Sequence, residues 1–594
     1  MRRLTLLSMC AVVTISCGGE GVGDTPPDTG DAVTTDVAAV LDETCGPVGA
    51  IHFICDVISP EDLAVVPNSD WVIVSGNQEG GRIQLVSASR KTVRVLFPSD
   101  TSSTRFDSEA YPACPGPIDP EEGDDFRAHG LYLKPSEGDV HTLHVVHHGL
   151  RESVEVFEIN AGDTPPSLTW VGCAVAPDGS TFNAVVALPD GGFAVTGTRL
   201  RGDIATGVLE WHRDTGWAMV PGSEDLRPNG LEISEDGQWF YVAGWVDERV
   251  IRLSRGQTPV QADVVQLGFR PDNVRRAPDG LIYAAGHTDF MLQTEAFNVA
   301  RINAETLAFE RILHHPVIDG FAASTTAVPI GDEIWLGTNR GGKIAYFPAP
   351  RLNKIIEQFE HGEAALANEH WRITSLEHSP FLVDDLEEFL DELRAEGVGR
   401  PRLTPIVRIP HEADQDFHHA VKQILDAGAM GIVLPQVRTA DEVTKLVRAM
   451  RYPPQRGAQY PEPRGRRGWG PTAATRVWGV TADEYARKAD VWPLNSDGEL
   501  LAIAMVETRE IVENIDEILQ VPGLGGLLIG AADLSLSLGV GTPAANPGAP
   551  EVQDAIRTVG DACKRHNALC GIYARSDVEA MAEQGFTLFP IPGY

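Results

Sequence analysis

The sequence predicts two folded parts of different class, an all-β propeller followed by an α/β barrel of TIM type. Three observations lead there. The chain has 594 residues, too many for one ordinary domain. Its first half is a succession of short apolar strands separated by Gly- and Asp-rich turns. Its second half alternates strand-like and helix-like segments. The composition, 43% hydrophobic and 22% charged, is that of a globular protein. A formal charge of −36 with no basic stripe argues against nucleic-acid binding and favours cation binding.

The elements follow in chain order. Arg2 and Arg3 precede the apolar run "LTLLSMCAVVTIS", which is short for a membrane span and reads as an export signal. It ends at Cys17, in "TISCGGEG", and resembles a bacterial lipoprotein signal with cleavage before Cys17 and lipidation of its thiol; Thr14 departs from that motif. Residues 1–17 are therefore expected to be the signal. Residues 18–44, acidic and poor in aromatics, are expected to be a disordered tether. The expected location is outside the cytoplasm, lipid-anchored at the outer membrane or cell surface. Export permits disulfides. Of Cys45, Cys55, Cys114, Cys173, Cys563 and Cys570, none has a zinc-type spacing, and sequence alone leaves the connectivity open. The favoured pairs are Cys45–Cys55 and Cys114–Cys173.

Residues 45–350 carry "WVIVSG", "TLHVVHH", "SVEVFEI", "GGFAVTG", "QWFYVAGW", "LIYAAG" and "EIWLGT". A loose Asp-Gly turn and strand unit recurs at residues 178, 190, 236 and 279, and repetition of a strand group points to a propeller. Polar residues stand where strands begin: Glu61 and Asp62, His129, Asn183, Asn229, and Asp272 with Asn273. Converging on one channel, such hard oxygens suit calcium, and a buried Asn cluster without a cation is difficult to satisfy. His147 and His148 end "LHVVHH"; no role is assigned to His144 or His147.

The ordered set "SPEDLAVV", "AHGL", "VVHHG…ESVEVFEI", "FNAVVALPDGGFAVT", "PNGLEIS" and "PDNV" resembles the paraoxonase/arylesterase group of six-bladed propellers, related to gluconolactonase-like proteins. The resemblance implies a catalytic calcium held by Glu61, Asn183, Asn229, Asp272 and Asn273. It implies His129 as base with His148 behind it, His287 lining the pocket, and lactones or aryl esters as substrates. A second, structural calcium in that family would use Asp62, the Leu131 carbonyl and an Asp that is Ala184 in this chain.

From residue 353 to 594 the strands include "HWRITSLEH", "LTPIVRI", "GIVLPQV", "LLAIAMVET" and "GLLIGAA", apolar enough for burial on both faces. Polar residues stand at the C-terminal strand ends, where barrel sites lie: His378, Arg408, Glu507 and Asp533. Glu507 and Asp533, read as lying on successive strands, could share a divalent cation. "LEHSPF", "DAGAMGIVLPQV", "MVETRE" and "GLLIGAADLSLSLG" resemble the HpcH/HpaI aldolase family. That resemblance implies Mg²⁺ or Mn²⁺ on Glu507 and Asp533, a 2-oxo acid substrate, Arg408 as anion clamp, His378 for proton transfer, Ser535 near substrate, and assembly as a homo-oligomer. Ser375, Met505 and Ala531 replace the residues usual in that family, and the stretch before "HWRITSLEH" is too short for a full first strand–helix unit. The barrel is then either incomplete there or completed by a neighbour. Glu377 reads as structural or solvated. The competing expectation for the whole chain is a non-enzymatic, surface-tethered binding scaffold.

Overall fold

The computed structural model describes residues 45–99, 102–118, 126–199, 206–224, 226–290, 293–378, 383–456, 460–541, 544–572 and 578–590. The expected signal, Cys17 and the whole of the tether lie outside the described residues. Among the described residues no helix is long and apolar enough to cross a membrane.

Six small sheets make the propeller. The first strands of blades one to six are Pro60–Val65, Arg127–Lys134, Ser180–Ala187, Leu231–Ile233, Arg270–Arg276 and Ala327–Ile330. They touch one another in that order, and the sixth returns to the first. Each blade continues outward as an antiparallel meander. Short-range Asp-Gly turns favour that connectivity, because antiparallel strands need only a tight turn between them. The ring is closed by the chain's beginning: His52–Ile54 pairs antiparallel with Ile344–Pro348 of blade six. The Cys45–Cys55 disulfide clips this closing strand, and Cys114–Cys173 anchors a long loop on blade two.

Four of the six first strands share an irregularity. Their ladders break at Pro60/Leu63, Ala128/Leu131, Phe182/Val185 and Pro271/Val274. The residues taken out of register are Glu61–Asp62, His129–Gly130, Asn183–Ala184 and Asp272–Asn273. A bulge suspends strict in–out alternation and re-aims side chains. Both members of a pair therefore become available to the channel.

The chain leaves the propeller after Pro348, and the helix Lys354–Glu360, capped by the Asn353 side chain, opens the second part. Its buried Ile355 and Ile356 join Trp371, Ile406, Val433, Ile503 and Leu528 in the barrel interior. Among the described residues the parallel sheet has nine strands: Ala365–Leu366, Trp371–Ser375, Thr404–Arg408, Gly431–Leu434, Leu500–Val506, Gly526–Ile529, Leu569–Ile572 and Leu588–Phe589 round the cylinder, with Val491–Trp492 paired to Leu500–Val506 beside that path. A bridge between Ala367 and Trp371 brings the first beside the second and nearly closes the cylinder. The first unit is indeed reduced: its strand has two residues, and only a turn separates it from Trp371–Ser375. The sequence leaves Cys563 and Cys570 without an assigned partner. The structure joins them, tying the end of helix Pro550–His566 to strand Leu569–Ile572.

The two parts meet along a seam where Arg400 pairs with Asp279 at 3.2 Å and the Asn303 amide donates to the Val398 carbonyl at 3.4 Å.

Candidate functional site

The propeller channel gathers residues from all six blades. The Asn273 amide donates to Glu61 Oε1 at 2.8 Å, and the Asn273 backbone N–H donates to the Thr325 carbonyl at 2.8 Å. The Thr325 hydroxyl in turn donates to the Glu61 carbonyl at 2.5 Å. The Gly230 N–H, beside Asn229, donates to the Asp272 carbonyl at 2.8 Å. Gly130 leaves no room for a side chain, because a Cβ there would lie 2.4 Å from the Asn183 carbonyl oxygen. Close backbone approach at the channel is thus a requirement of the glycines in "AHG" and "PNG".

Glu61 and Asn273 are fully buried, and Asp272 nearly so. Burial, reinforced by Asp62 and Asp272, pushes the Glu61 carboxyl well above its ordinary range. Burial and Asp62 push Asp272 up to about 7. Four buried oxygens accept no hydrogen bond among the described residues: Glu61 Oε2, Asn183 Oδ1, Asn229 Oδ1 and Asn273 Oδ1. Leaving each unmade costs about 1–3 kcal/mol. Acid and amide oxygens with no donor are the donor set a hard cation accepts. His129 borders them, its Nε2 3.7 Å from Glu61 Oε1. Burial, then the nearby His148 and Arg127, hold the His129 imidazole well below its ordinary range. His148 Nε2 lies 2.8 Å from His129 Nδ1. His287 is buried beside Trp245, its Nε2 3.5 Å from Asp289.

Asp62 has a different partner from the one the resemblance suggested. The buried Arg275 guanidinium bonds to Asp62 Oδ2 through Nη2, which also donates to the Leu131 carbonyl at 3.0 Å. Its Nη1 donates to the Val274 and Leu231 carbonyls at 3.0 and 3.4 Å. The acid and carbonyl assigned to a structural calcium are therefore held by the chain's own cation. His144 and His147 stand on a strand of blade two: His144 packs against Phe193 of blade three, and His147 against Phe126 with Nδ1 2.9 Å from the Arg151 carbonyl.

In the barrel, Glu507 follows strand Leu500–Val506 and is buried. Its Oε2 accepts from the Gln436 backbone and side-chain amides at 3.0 and 3.2 Å. Its Oε1 lies against Gly530, where a Cβ would come within 2.6 Å. Burial, with Glu377 and Asp533 adding repulsion, pushes the Glu507 carboxyl up to about 7. Asp533 does not stand on a strand. It belongs to the first turn of helix Ala531–Ser537, because the strand ends at Ile529 and Gly530 is the helix cap.

Arg408, ending Thr404–Arg408, pairs with Glu377 at 2.8 Å and donates through Nε to Ser375 Oγ at 2.8 Å. Ser375 thus orients Arg408, and Met505 Sδ lies 3.9 Å from its Nη1. Glu377, read from sequence as a bystander, is a member of this site; its place two residues past a barrel strand was the available signal. His378 is largely exposed, with Nε2 3.4 Å from Glu377. Ser535 is buried, donates to the Ala532 carbonyl at 2.6 Å and accepts from the Asn546 N–H at 2.9 Å, so it ties a loop to its helix.

Comparison with known proteins adds to this geometry. The chain is 35% identical over 196 residues to a 2-keto-3-deoxy-L-rhamnonate aldolase of Escherichia coli O17:K52:H18, an alignment covering 33% of this chain and 62% of that protein. A HpcH/HpaI aldolase/citrate lyase family protein from Burkholderia cenocepacia J2315 matches at 28% identity and a TM-score of 0.31, covering 37% of this chain and 78% of that one. A luciferin-regenerating enzyme matches at 11% identity and a TM-score of 0.35, covering 51% of this chain and 96% of that one. Residues 363–589, the barrel, match the model of the HpcH/HpaI aldolase/citrate lyase family.

Proposed function

We propose that the barrel is a divalent-metal-dependent carbon–carbon lyase acting on a 2-oxo acid, and that the propeller is a calcium-dependent hydrolase of lactones or aryl esters. The observation that carries the barrel reading is Glu507, a buried acid at a strand end within the stretch that matches the aldolase family. Glu507 and Asp533 would hold Mg²⁺ or Mn²⁺, which supplies Lewis acidity toward the 2-oxo group. The fit rests on the donor set: Glu507 is a buried carboxylate at the strand end, and Asp533, in the first turn of the next helix, is a second acid near enough to add to the burial that raises its range. Gln436 and the absent side chain of Gly530 keep that carboxylate in one orientation. Arg408, fixed by Ser375 and Glu377, offers a guanidinium at the same mouth for the substrate's carboxylate or a developing oxyanion. His378, largely exposed at the same mouth, is the group placed for proton transfer.

The propeller reading is supported by the four unpartnered oxygens around Glu61. Glu61, Asn183, Asn229, Asp272 and Asn273 would hold calcium, which polarises an ester carbonyl. His129, kept neutral by burial, accepts the proton of an attacking water at Nε2. Three disulfides suit the oxidising compartment that the leader-like start implies, so export with lipidation at Cys17 is part of the proposal.

Two assays test this. Pyruvate release from 4-hydroxy-2-oxo acids is followed with Mg²⁺ or Mn²⁺, with Glu507→Gln as control. Hydrolysis of lactones and aryl acetates is followed with calcium, with Glu61→Gln and Asn229→Ala as controls. Metal analysis should return calcium plus a separate divalent ion. Bound metal with no turnover in either assay would leave a binding scaffold as the surviving reading.

A further inference from the structure

A third residue stands behind the two histidines. Glu152 lies in the loop between strands Val140–His148 and Ser153–Asn160. Its Oε2 is 2.8 Å from His148 Nδ1. Its Oε1 accepts the Phe182 N–H at 2.7 Å, one residue before Asn183. The Glu152 backbone carbonyl is held by the Ala176 N–H at 2.9 Å. The row therefore reads Glu152, His148, His129 and then the unpartnered oxygens of the channel, with the two imidazoles 2.8 Å apart at their nitrogens.

We propose that Glu152 is a positioning residue that sets the tautomers of both histidines and so leaves the His129 Nε2 lone pair facing the channel. Hydrogen-bond direction fixes the tautomers. Two neutral imidazoles in a row can carry their protons either way, and nothing in the pair itself chooses. A carboxylate only accepts, so the proton between Glu152 and His148 sits on His148 Nδ1. His148 Nε2 is then the acceptor, and His129 donates to it from Nδ1. That leaves Nε2 of His129 without a proton, 3.7 Å from Glu61. The same carboxylate grips Phe182, so the histidine pair and the bulge bearing Asn183 share one anchor. The geometry stands by itself; its consequence for turnover rests on the hydrolase reading above. In that step the water O–H bond breaks, the proton goes to Nε2 and the oxygen bonds to the ester carbonyl carbon as the C=O π pair moves onto oxygen; when that pair returns, the ester C–O bond breaks and the leaving phenoxide takes the proton back from Nε2. Glu152 remains a carboxylate beside the resulting imidazolium.

Glu152→Gln is the informative substitution. The Phe182 N–H still needs an acceptor, which turns the amide oxygen toward it and the NH₂ toward His148. A donor at that place reverses the row: His148 then accepts at Nδ1, donates from Nε2, and His129 carries its proton on Nε2. The test is the long-range ¹H–¹⁵N spectrum of the full chain labelled with ¹⁵N-histidine, assigned with His129→Gln and His148→Gln. The expected parent spectrum has both rings in the Nδ1–H form, and E152Q moves both to Nε2–H. With phenyl acetate as probe, E152Q is expected to lower kcat about 100-fold or more while KM changes less than about twofold, as the wrong tautomer of a base does. A parent His148 carrying its proton on Nε2, or identical tautomers in parent and E152Q, would overturn the proposal. If E152Q does not fold, the parent spectrum alone decides it. If the parent hydrolyses neither aryl acetates nor lactones, the hydrolase reading falls while the spectrum still decides the role of Glu152.

Discussion

The propeller channel and the barrel mouth both concentrate buried acids, and they handle them differently. In the channel, Asp62 is matched by a guanidinium from the chain itself, Arg275, which lies 213 residues away in sequence. Glu61, its immediate neighbour, has an amide donor on one oxygen and none on the other. In the barrel, the pairing is between Arg408 and Glu377, and Glu507 has two amide donors from Gln436. The difference follows from architecture. A propeller brings its acids from separate blades to one axis, so each charge needs a partner from across the ring. A barrel presents its acids on consecutive loops at one rim, where a neighbouring strand end supplies the partner.

The largest expected effect comes from breaking the channel's internal ion pair. Arg275→Met leaves Asp62 buried without its cation and is expected to destabilise the propeller by about 3–5 kcal/mol. Adding Asp62→Asn should recover much of that loss. Chemical denaturation of the single and double variants measures both; equal stability of Arg275→Met and parent would contradict the assigned pairing.

On the barrel side, Glu507→Gln is expected to lower metal-dependent lyase kcat/KM by about 100-fold or more, close to 3 kcal/mol of barrier. Stability should hold or rise slightly, because a buried carboxyl pushed up to about 7 is replaced by a neutral amide. Steady-state kinetics beside thermal unfolding separates the two effects.

Acid should act on the propeller through His144. Burial, with Lys134 nearby, holds this imidazole down to about 4. Between an unfolded value of about 6.5 and that folded value, the unfolded chain binds the extra proton. Stability is therefore fully present above pH 6.5 and is lost as pH falls toward 4, by about 3 kcal/mol. His144→Phe should flatten that part of the pH–stability curve. An unchanged curve would place the acid sensitivity elsewhere.

The smallest effect expected is selective stabilisation by ion. On the proposed reading, free calcium at about a hundred times its dissociation constant adds about 2.7 kcal/mol to the propeller transition, and magnesium does not. Asn183→Ala should weaken that dependence, since it removes one of the four unpartnered oxygens. Calorimetry with calcium, magnesium or a chelator reads the outcome.

Much of the architecture was legible because it rests on local rules. Asp-Gly turns at residues 178, 190, 236 and 279 enforce a meander, and strands apolar throughout enforce burial on both faces. Asn and Asp residues at strand mouths announced oxygens converging on an axis. What stayed hidden depends on register and distance. Arg275 in "PDNVRR" looks like an ordinary outward strand residue until the ring closes and carries it to Asp62. The bulges at Glu61–Asp62 and its counterparts cancel the in–out alternation that a regular strand would impose. Ser375 reads only as a departure from the family pattern, and the neighbouring strand shows it bound to Arg408. Asp533 moved from strand to helix because one glycine, Gly530, ends the strand beneath Glu507.

By itself the sequence determined the two fold classes, the order of the parts and the residue types that gather at each site. Periodicity and turn chemistry are local properties, and they survive without knowledge of what lies opposite. The tertiary structure alone decided the pairing of charges. Arg275 with Asp62, Arg408 with Glu377, and Glu152 behind His148 and His129 are matters of which side chain meets which across the core. A buried charge takes the partner that geometry delivers, and its sequence neighbours do not name it.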